Sequence, residues 1–320
     1  IYVMSKKTLL SGVKPTGRPH IGNYFGALRQ FVDMQEEYNA IYMIADYHAL
    51  NFIHDGKQMS QEILDLALDY LTLGLDPQKS IIFKQSDVPE HAELAWIFDT
   101  ITTMPYLMRA HAYKDAETKD KEISVGTFNY PMLMAADILI YDTDIVPVGQ
   151  DQKQHVEYAR DTAQKFNNTF GGETFKLPDV TIIADVAVVP GTDGRKMSKS
   201  YGNTIPLFAS DAEIEKVVMS IVTDSGSEKP ENVYAIHRLF KSEEELASLY
   251  EEHKGKYKAL KEALIVDLKA FITPLREKRA QLASDTEYVL DILEEGGMRA
   301  REKAQKKMKE VREAVGVKLY

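Results

Sequence analysis

Ser11-Gly12-Val13-Lys14-Pro15-Thr16-Gly17-Arg18-Pro19-His20-Ile21-Gly22-Asn23-Tyr24 decides the fold. Thr8 to Val13 reads as a short buried strand, and Gly12, Pro15 and Gly17 mark a turn after it. Tyr24, Leu28, Phe31, Val32 and Gln35 then recur at helical spacing. Working outward, Ile41 to Ala45 is a second apolar run of strand length. The spacing predicts a helix over 60–73, with Ser60 as its N-cap and Gly74 as its stop. Ile81-Ile82-Phe83 is a third strand. Strand alternating with helix is the pattern of a parallel sheet with covering helices.

Residues 86–135 read as mostly helical, broken by loops, with a charged, mobile surface loop from Ala110 to Gly126. Asp144 to Val148 is a strand followed by Gly149, and Thr181-Ile182-Ile183 and Val186 to Val189 are short β-branched runs. Beyond Pro206 strand-like runs nearly vanish. Three capping-box patterns appear there, Ser210 with Glu213, Ser242 with Glu245 and Ser284 with Glu287. Leu260, Ala263, Leu264, Leu268 and Phe271 form an apolar stripe on a helix over 256–273, which reads as core packing.

The chain has 320 residues, 44% of them apolar and 28% charged, enough for a sizeable core and two domains. No run of about 18 apolar residues is present, so no membrane span is expected. Ile1 to Lys7 lacks a long apolar region with a small-residue cleavage site and does not read as a secretory signal. With no cysteine, disulfides, thiolate zinc sites, cysteine nucleophiles and cysteine-held Fe–S clusters are excluded, and a cytoplasmic setting is the simple expectation. A net charge of −10 argues against DNA or other bulk-charge nucleic-acid binding. A local patch is still open: Arg299, Arg301, Lys303, Lys306, Lys307, Lys309 and Arg312 form a basic run whose bland reading is a solvated helix face.

Lys196-Met197-Ser198-Lys199-Ser200 follows the glycine-bearing Gly191-Thr192-Asp193-Gly194. Such a loop can carry two ammonium groups onto a phosphate chain after binding. When a carboxylate attacks the α-phosphorus of ATP, charge builds on phosphoryl oxygens, and preorganised donors aimed at that charge supply the largest catalytic contribution. His20 to Asn23 stands where a first strand becomes a first helix, and ligands bind there beyond strand C-termini and at exposed helix N–H groups. At Gly22 the missing Cβ would let adenine or ribose approach, and His20 and Asn23 would donate to phosphate or ribose. Neither G-x-G-x-x-G nor G-x-x-x-x-G-K-[ST] occurs, which disfavours dinucleotide dehydrogenases and P-loop NTPases. Either tetrapeptide or pentapeptide alone is weak. A surface His on a capped helix, or two solvated lysines, is the ordinary reading of each.

Together, in this order, the two segments resemble the signature motifs of class I aminoacyl-tRNA synthetases. Three longer stretches resemble tryptophanyl-tRNA synthetases of the bacterial type: Ser11–Gly17 with His20–Tyr24 and Gly26-Ala27-Leu28; Tyr130–Leu139; and Asp144–His155. The likeness covers most of 8–223 and continues more faintly beyond. It implies an α/β fold: a Rossmann-like doubly wound parallel sheet as catalytic domain over 1–205, with a helical insertion, and a C-terminal all-α helical domain over 206–320 that reads the anticodon. It implies activation of L-tryptophan with ATP, accompanied by Mg²⁺, transfer to tRNA(Trp), and a homodimer. No organic cofactor, zinc or Fe–S cluster is expected.

By the same resemblance, Lys196, Lys199, His20 and Asn23 are the catalytic candidates. ATP is expected on Lys14, Thr16, Gly17, Gly22, Asn23, Gly149, Asp151, Lys196, Met197, Ser198 and Lys199. Tryptophan is expected on His48, Tyr130, Met134, Asp137, Val148 and Gln152. The residues agree with this. Asp137 is a carboxylate inside the apolar run Met134–Tyr141, so it needs a partner. An indole N–H would serve, and an internal hydrogen bond to backbone or a tyrosine is the alternative. Met134 lies one turn earlier on the same face, where its thioether suits an aromatic ring. Tyrosyl-tRNA synthetases, a non-charging RNA- or nucleotide-binding paralogue and another nucleotidyltransferase are the competing readings. An apolar Met134 fits indole better than phenol. Many bacterial tryptophan enzymes carry Thr or Ser at the His20 position and Gln at the Lys14 position. Lys114 and Lys119 are candidates for the mobile-loop lysine of the family.

Overall fold

A computed structural model describes residues 6–110, 113, 114, 117, 122–148, 153–182, 189–223 and 229–320. The first region runs β1 (Thr8–Val13), α1 (Ile21–Asn23), a π-helical turn (Tyr24–Leu28), α2 (Arg29–Glu37), β2 (Asn39–Ile44), α3 (Asp46–Ala49), α4 (Gly56–Leu73) and β3 (Ile81–Lys84). Next come α5 (Glu90–Ile101), α6 (Met104–Leu107), α7 (Val125–Leu139), β4 (Ile145–Val148), α8 (Lys153–Phe170) and β5 (Asp179–Ile182). The rest is helical: α9 (Asp211–Met219), α10 (Glu231–His237), α11 (Glu243–Glu252), α12 (Tyr257–Ala283) and α13 (Thr286–Ala314).

All strand pairs are parallel, in the order β3-β2-β1-β4-β5. Strand order reverses between β1 and β4, so the segments leaving these two strands diverge and open a crevice. Alternate residues of each strand feed opposite faces. Leu10, Ile41, Met43 and Phe83 pack against α5, α7 and α8, while Leu9, Tyr42, Ile44 and Ile82 pack against α2 and α4. A third cluster joins Ile21 and Phe25 to Met197, Ile205 and the helices beyond 206.

The last helix serves both faces. Val289, Ile292 and Leu293 of α13 enter one core, and Ala300, Ala304, Met308 and Val311 enter the other. It passes the edge strand β3 at Gly296, where a Cβ would stand 1.8 Å from the Ile82 carbonyl oxygen. Only glycine permits that approach, which offsets the roughly 1 kcal/mol helix penalty of the residue and covers the sheet edge.

Several sequence expectations change here. The N-cap of α4 is Asp55, whose carboxylate accepts from the Gln58 N–H, and Ser60 lies inside the helix with its hydroxyl on Gly56 O. Ser210 and Ser242 cap as expected, but Ser284 ends α12 and Asp285 caps α13 through the Tyr288 N–H. Helix 256–273 continues to Ala283 through Pro274. Val125 and Gly126, expected in a loop, begin α7 behind the cap Ser124. The basic run near the C-terminus is neither a free patch nor a solvated face throughout. Arg299 donates to Pro77 O, Arg301 pairs with Glu90, Lys307 with Asp142 and Glu310, and Arg312 with Glu93. Lys303, Lys306 and Lys309 stay exposed. Among the described residues no helix is long and apolar enough to cross a membrane.

Candidate active site

The turn after β1 ends at His20, which is buried and leads α1, its backbone N–H bonded to Asn23 Oδ1 at 3.0 Å. The strand-to-helix junction is bolted to the segment after the lysine loop. Ile21 N donates to Ile205 O at 3.0 Å and Leu207 N to Pro19 O at 3.0 Å. The π-turn over Tyr24–Leu28 directly follows, a local widening that recurs at functional sites.

His20 is not a cationic donor. Burial, with the Lys199 charge adding, lowers its pKa to about 4, and its Nδ1 has no partner among the described residues. At Gly22 a Cβ would meet His20 Nδ1 at 2.9 Å and Met197 Cβ at 3.3 Å, so the glycine lets the His20 ring and the Met197 side chain close on the helix start.

Met197 is buried in the cluster with Ile21 and Phe25, which anchors the lysine loop while its neighbours face outward. Ser198 N donates to Asn203 Oδ1 at 2.8 Å, and Asn203 Nδ2 reaches Asp193 Oδ1 at 2.7 Å and Lys196 O at 3.2 Å. Lys196 is exposed. Lys199 crosses to the first motif, its Nζ 2.6 Å from Thr16 O and 2.9 Å from Gly17 O. Although the residue as a whole is exposed, its ammonium end loses solvent. That desolvation lowers its pKa, against the opposing pull of Glu62 and Asp69. Lys14 lies with Nζ 4.7 Å from the centroid of the Phe52 ring. Thus Lys14, Thr16, Gly17, Asn23 and Lys199 line one cavity of about 690 Å³ beside α4 and α12.

Asp137 sits in α7, 2% exposed. Its Oδ2 accepts from His48 Nε2 at 2.8 Å; its Oδ1 accepts from Gln85 Nε2 at 2.7 Å and His91 Nδ1 at 2.6 Å. Desolvation alone would raise its pKa, but the hydrogen bonds and charge of His48 and His91 outweigh it and hold the carboxyl at about 2. Behind His91, Tyr141 Oη is 2.7 Å from Nε2. Burial, then Asp137 and Glu90, push the Tyr141 pKa up, so the hydroxyl keeps its proton and donates to Nε2 whenever Nδ1 carries the other. The Tyr130 ring meets His48 edge-on, centroids 6.1 Å apart. Met134 is half-buried against the same core.

His48, Tyr130, Met134 and Asp137 therefore gather at one face of α7, while Lys199 joins Thr16 and Gly17 on the other side of β1. Gly149, Asp151, Gln152 and Lys119 lie outside the described residues, as does the Val148 side chain; Lys114 is described. Gln85 and His91 were missed. Their signal was position: Gln85 directly follows buried β3, where a parallel sheet presents ligand-facing residues.

A family model for tRNA synthetases class I (W and Y) matches residues 4–264. The chain belongs to this family. Among relatives of class I, the tryptophan–tRNA ligase of Fusobacterium nucleatum is 47% identical over 97% of this chain and 98% of its own length. The structure of the Campylobacter jejuni tryptophanyl-tRNA synthetase complexed with ADP and tryptophan superposes with a TM-score of 0.91, at 45% identity, over 97% of this chain and 99% of that one. The tyrosyl-tRNA synthetase of Archaeoglobus fulgidus, at 20% identity and a TM-score of 0.66, shares the fold. Class I membership makes the chain an aminoacyl-tRNA ligase, and its likeness within the class is to the bacterial tryptophan enzymes.

Proposed function

We infer that the chain activates L-tryptophan with ATP and transfers it to the 3′ end of tRNA(Trp). The observation that carries this is the meeting of the two motifs: Lys199 reaches back 183 residues to donate to Thr16 O at 2.6 Å. In the first step the tryptophan carboxylate oxygen bonds to the α-phosphorus of ATP, the bond to the β-phosphate bridging oxygen breaks, and pyrophosphate leaves. Lys199 and Lys196 are proposed to draw the negative charge off, and the Asn23 corner after β1 to hold the nucleotide. In the second step a hydroxyl of the terminal adenosine attacks the acyl carbon and AMP leaves.

Asp137, held ionised and oriented by three donors, is the acceptor for the indole N–H. Tyr130 and Met134 flank the ring, with Val148 and Gln152 proposed to complete the pocket and Gly149 and Asp151 the nucleotide side. Mg²⁺ is proposed to enter on ATP. Phosphate and water oxygens are the ligands that Mg²⁺ prefers. Residues 206–320 are proposed to read the anticodon. A homodimer is supported by the exposed Leu50, Trp96 and Val125, which line one cavity of about 1030 Å³. The lack of cysteine suits a cytoplasmic setting.

Amino-acid-dependent ATP–pyrophosphate exchange with tryptophan, tyrosine and phenylalanine in parallel tests the reading. Exchange with tryptophan alone is expected. Exchange with tyrosine overturns the pocket assignment, and none with any of the three overturns the activation chemistry.

A further inference from the structure

The cavity beside α4 holds an arrangement that the two-step reaction does not use. Three carboxylates stand in one row of α4: Glu62, Asp65 and Asp69. Two of them share one cation. Arg279 of α12 places Nη2 2.6 Å from Asp65 Oδ1 and Nε 2.6 Å from Asp69 Oδ1. Glu62 has no such cation: among the described residues it forms no ion pair with an arginine or lysine. Its Oε2 instead accepts the Gly17 N–H. The carbonyl of that same Gly17, with that of Thr16, takes the Lys199 ammonium at 2.9 Å and 2.6 Å. One peptide corner thus has its N–H on a carboxylate and its C=O on the signature lysine. The unneutralised Glu62 charge acts on that lysine as well.

In this position Lys199 is spent on backbone carbonyls. To meet a triphosphate it must leave both. A group that stabilises the docked state lowers the apparent ATP affinity by the fraction of molecules left competent. Arg279 offsets part of the Asp69 charge at 2.6 Å, and of the two carboxylates that act on Lys199 Glu62 is the stronger, so Glu62 is the main charge that sets this fraction.

We propose that Glu62 is a positioning residue for Lys199: by fixing the Thr16–Gly17 corner and leaving its charge uncompensated, it holds the lysine docked until ATP draws it away. The proposal rests on the reading of Lys199 as a phosphate-contacting group. Glu62→Gln separates the two actions, because the amide oxygen still accepts the Gly17 N–H while the charge is gone.

The test is the ATP dependence of pyrophosphate exchange by the full chain at saturating tryptophan. E62Q is expected to lower the ATP KM about three- to fivefold, the scale of one partly exposed charge, with the tryptophan KM and the melting temperature unchanged. In a Lys199→Ala background the same substitution is expected to leave the ATP KM where it was. An unchanged ATP KM in E62Q, or an equal drop with and without Lys199, overturns the proposal. If Lys199→Ala alone activates tryptophan at the normal rate, the reading of Lys199 itself fails. A slow Lys199→Ala with an inert E62Q removes only the role of Glu62.

Discussion

Asp137 and Lys199 carry opposite charges in opposite kinds of surroundings. Asp137 is buried in a helix, and three side-chain donors from three other elements converge on it. Lys199 extends from a loop, and its ammonium rests on two main-chain carbonyls. A buried carboxylate with three partners is fixed, because removing any of them leaves an unsatisfied charge in a low-dielectric interior. A lysine on carbonyls at the surface has neutral partners that water or phosphate can replace. Recognition of a constant substrate edge wants the first arrangement, and stabilisation of charge that exists only during reaction wants the second. A change is therefore felt as stability at Asp137 and as rate at Lys199.

The largest effect is expected at the fixed site. Asp137→Ala leaves His48, Gln85 and His91 aimed at nothing, and should lower stability by about 3–5 kcal/mol in urea unfolding. The folded fraction should also lose its discrimination against phenylalanine, whose ring offers no donor. Preserved stability would show that the donors relax, and the contrast with Lys199 would be lost. Lys199→Ala should instead slow adenylate formation by about 10²–10³, read in a single turnover, while tryptophan still binds and the melting temperature holds. A drop in melting temperature would make the lysine structural.

Acid titration separates the two regions more finely. His20 refuses a proton until about pH 4 when folded but accepts it near 6.5 when unfolded. Its contribution is therefore complete above pH 6.5 and is lost as pH falls from there toward 4. Asp137, held at about 2 against an ordinary 3.8, contributes above 3.8 and loses that contribution as pH falls toward 2. The unfolding free energy from urea titration should fall by about 1–2 kcal/mol from pH 7 to pH 5 through His20, and His20→Asn should flatten that slope without touching the further loss below pH 3.8. An unaltered slope would place the acid sensitivity elsewhere.

Much of this was legible along the chain. The strand–turn–helix start, the alternation that builds a parallel sheet and the need of Asp137 for a partner all follow from local periodicity and from the cost of burying charge, whereas the burial of Met197, expected on ATP, came only with the fold. Which partner Asp137 takes was not legible, because Gln85 and His91 are 52 and 46 residues away in sequence. What stands beside Gly22 was not legible for a related reason: Met197 arrives there from the distant lysine loop.

The sequence by itself determined the kind of sheet, the helical character beyond Pro206, and the two motifs whose chemistry points to ATP. Those are properties of spacing and residue type, and each is expressed within a few turns of chain. Only the tertiary structure decided that α13 returns across the sheet edge at Gly296, that the basic run of that helix is spent on Glu90, Glu93 and Asp142, and that Lys199 docks on the corner tied down by Glu62. Each of these joins segments far apart in the chain, and the fold selects it by burying apolar area and matching charge in three dimensions.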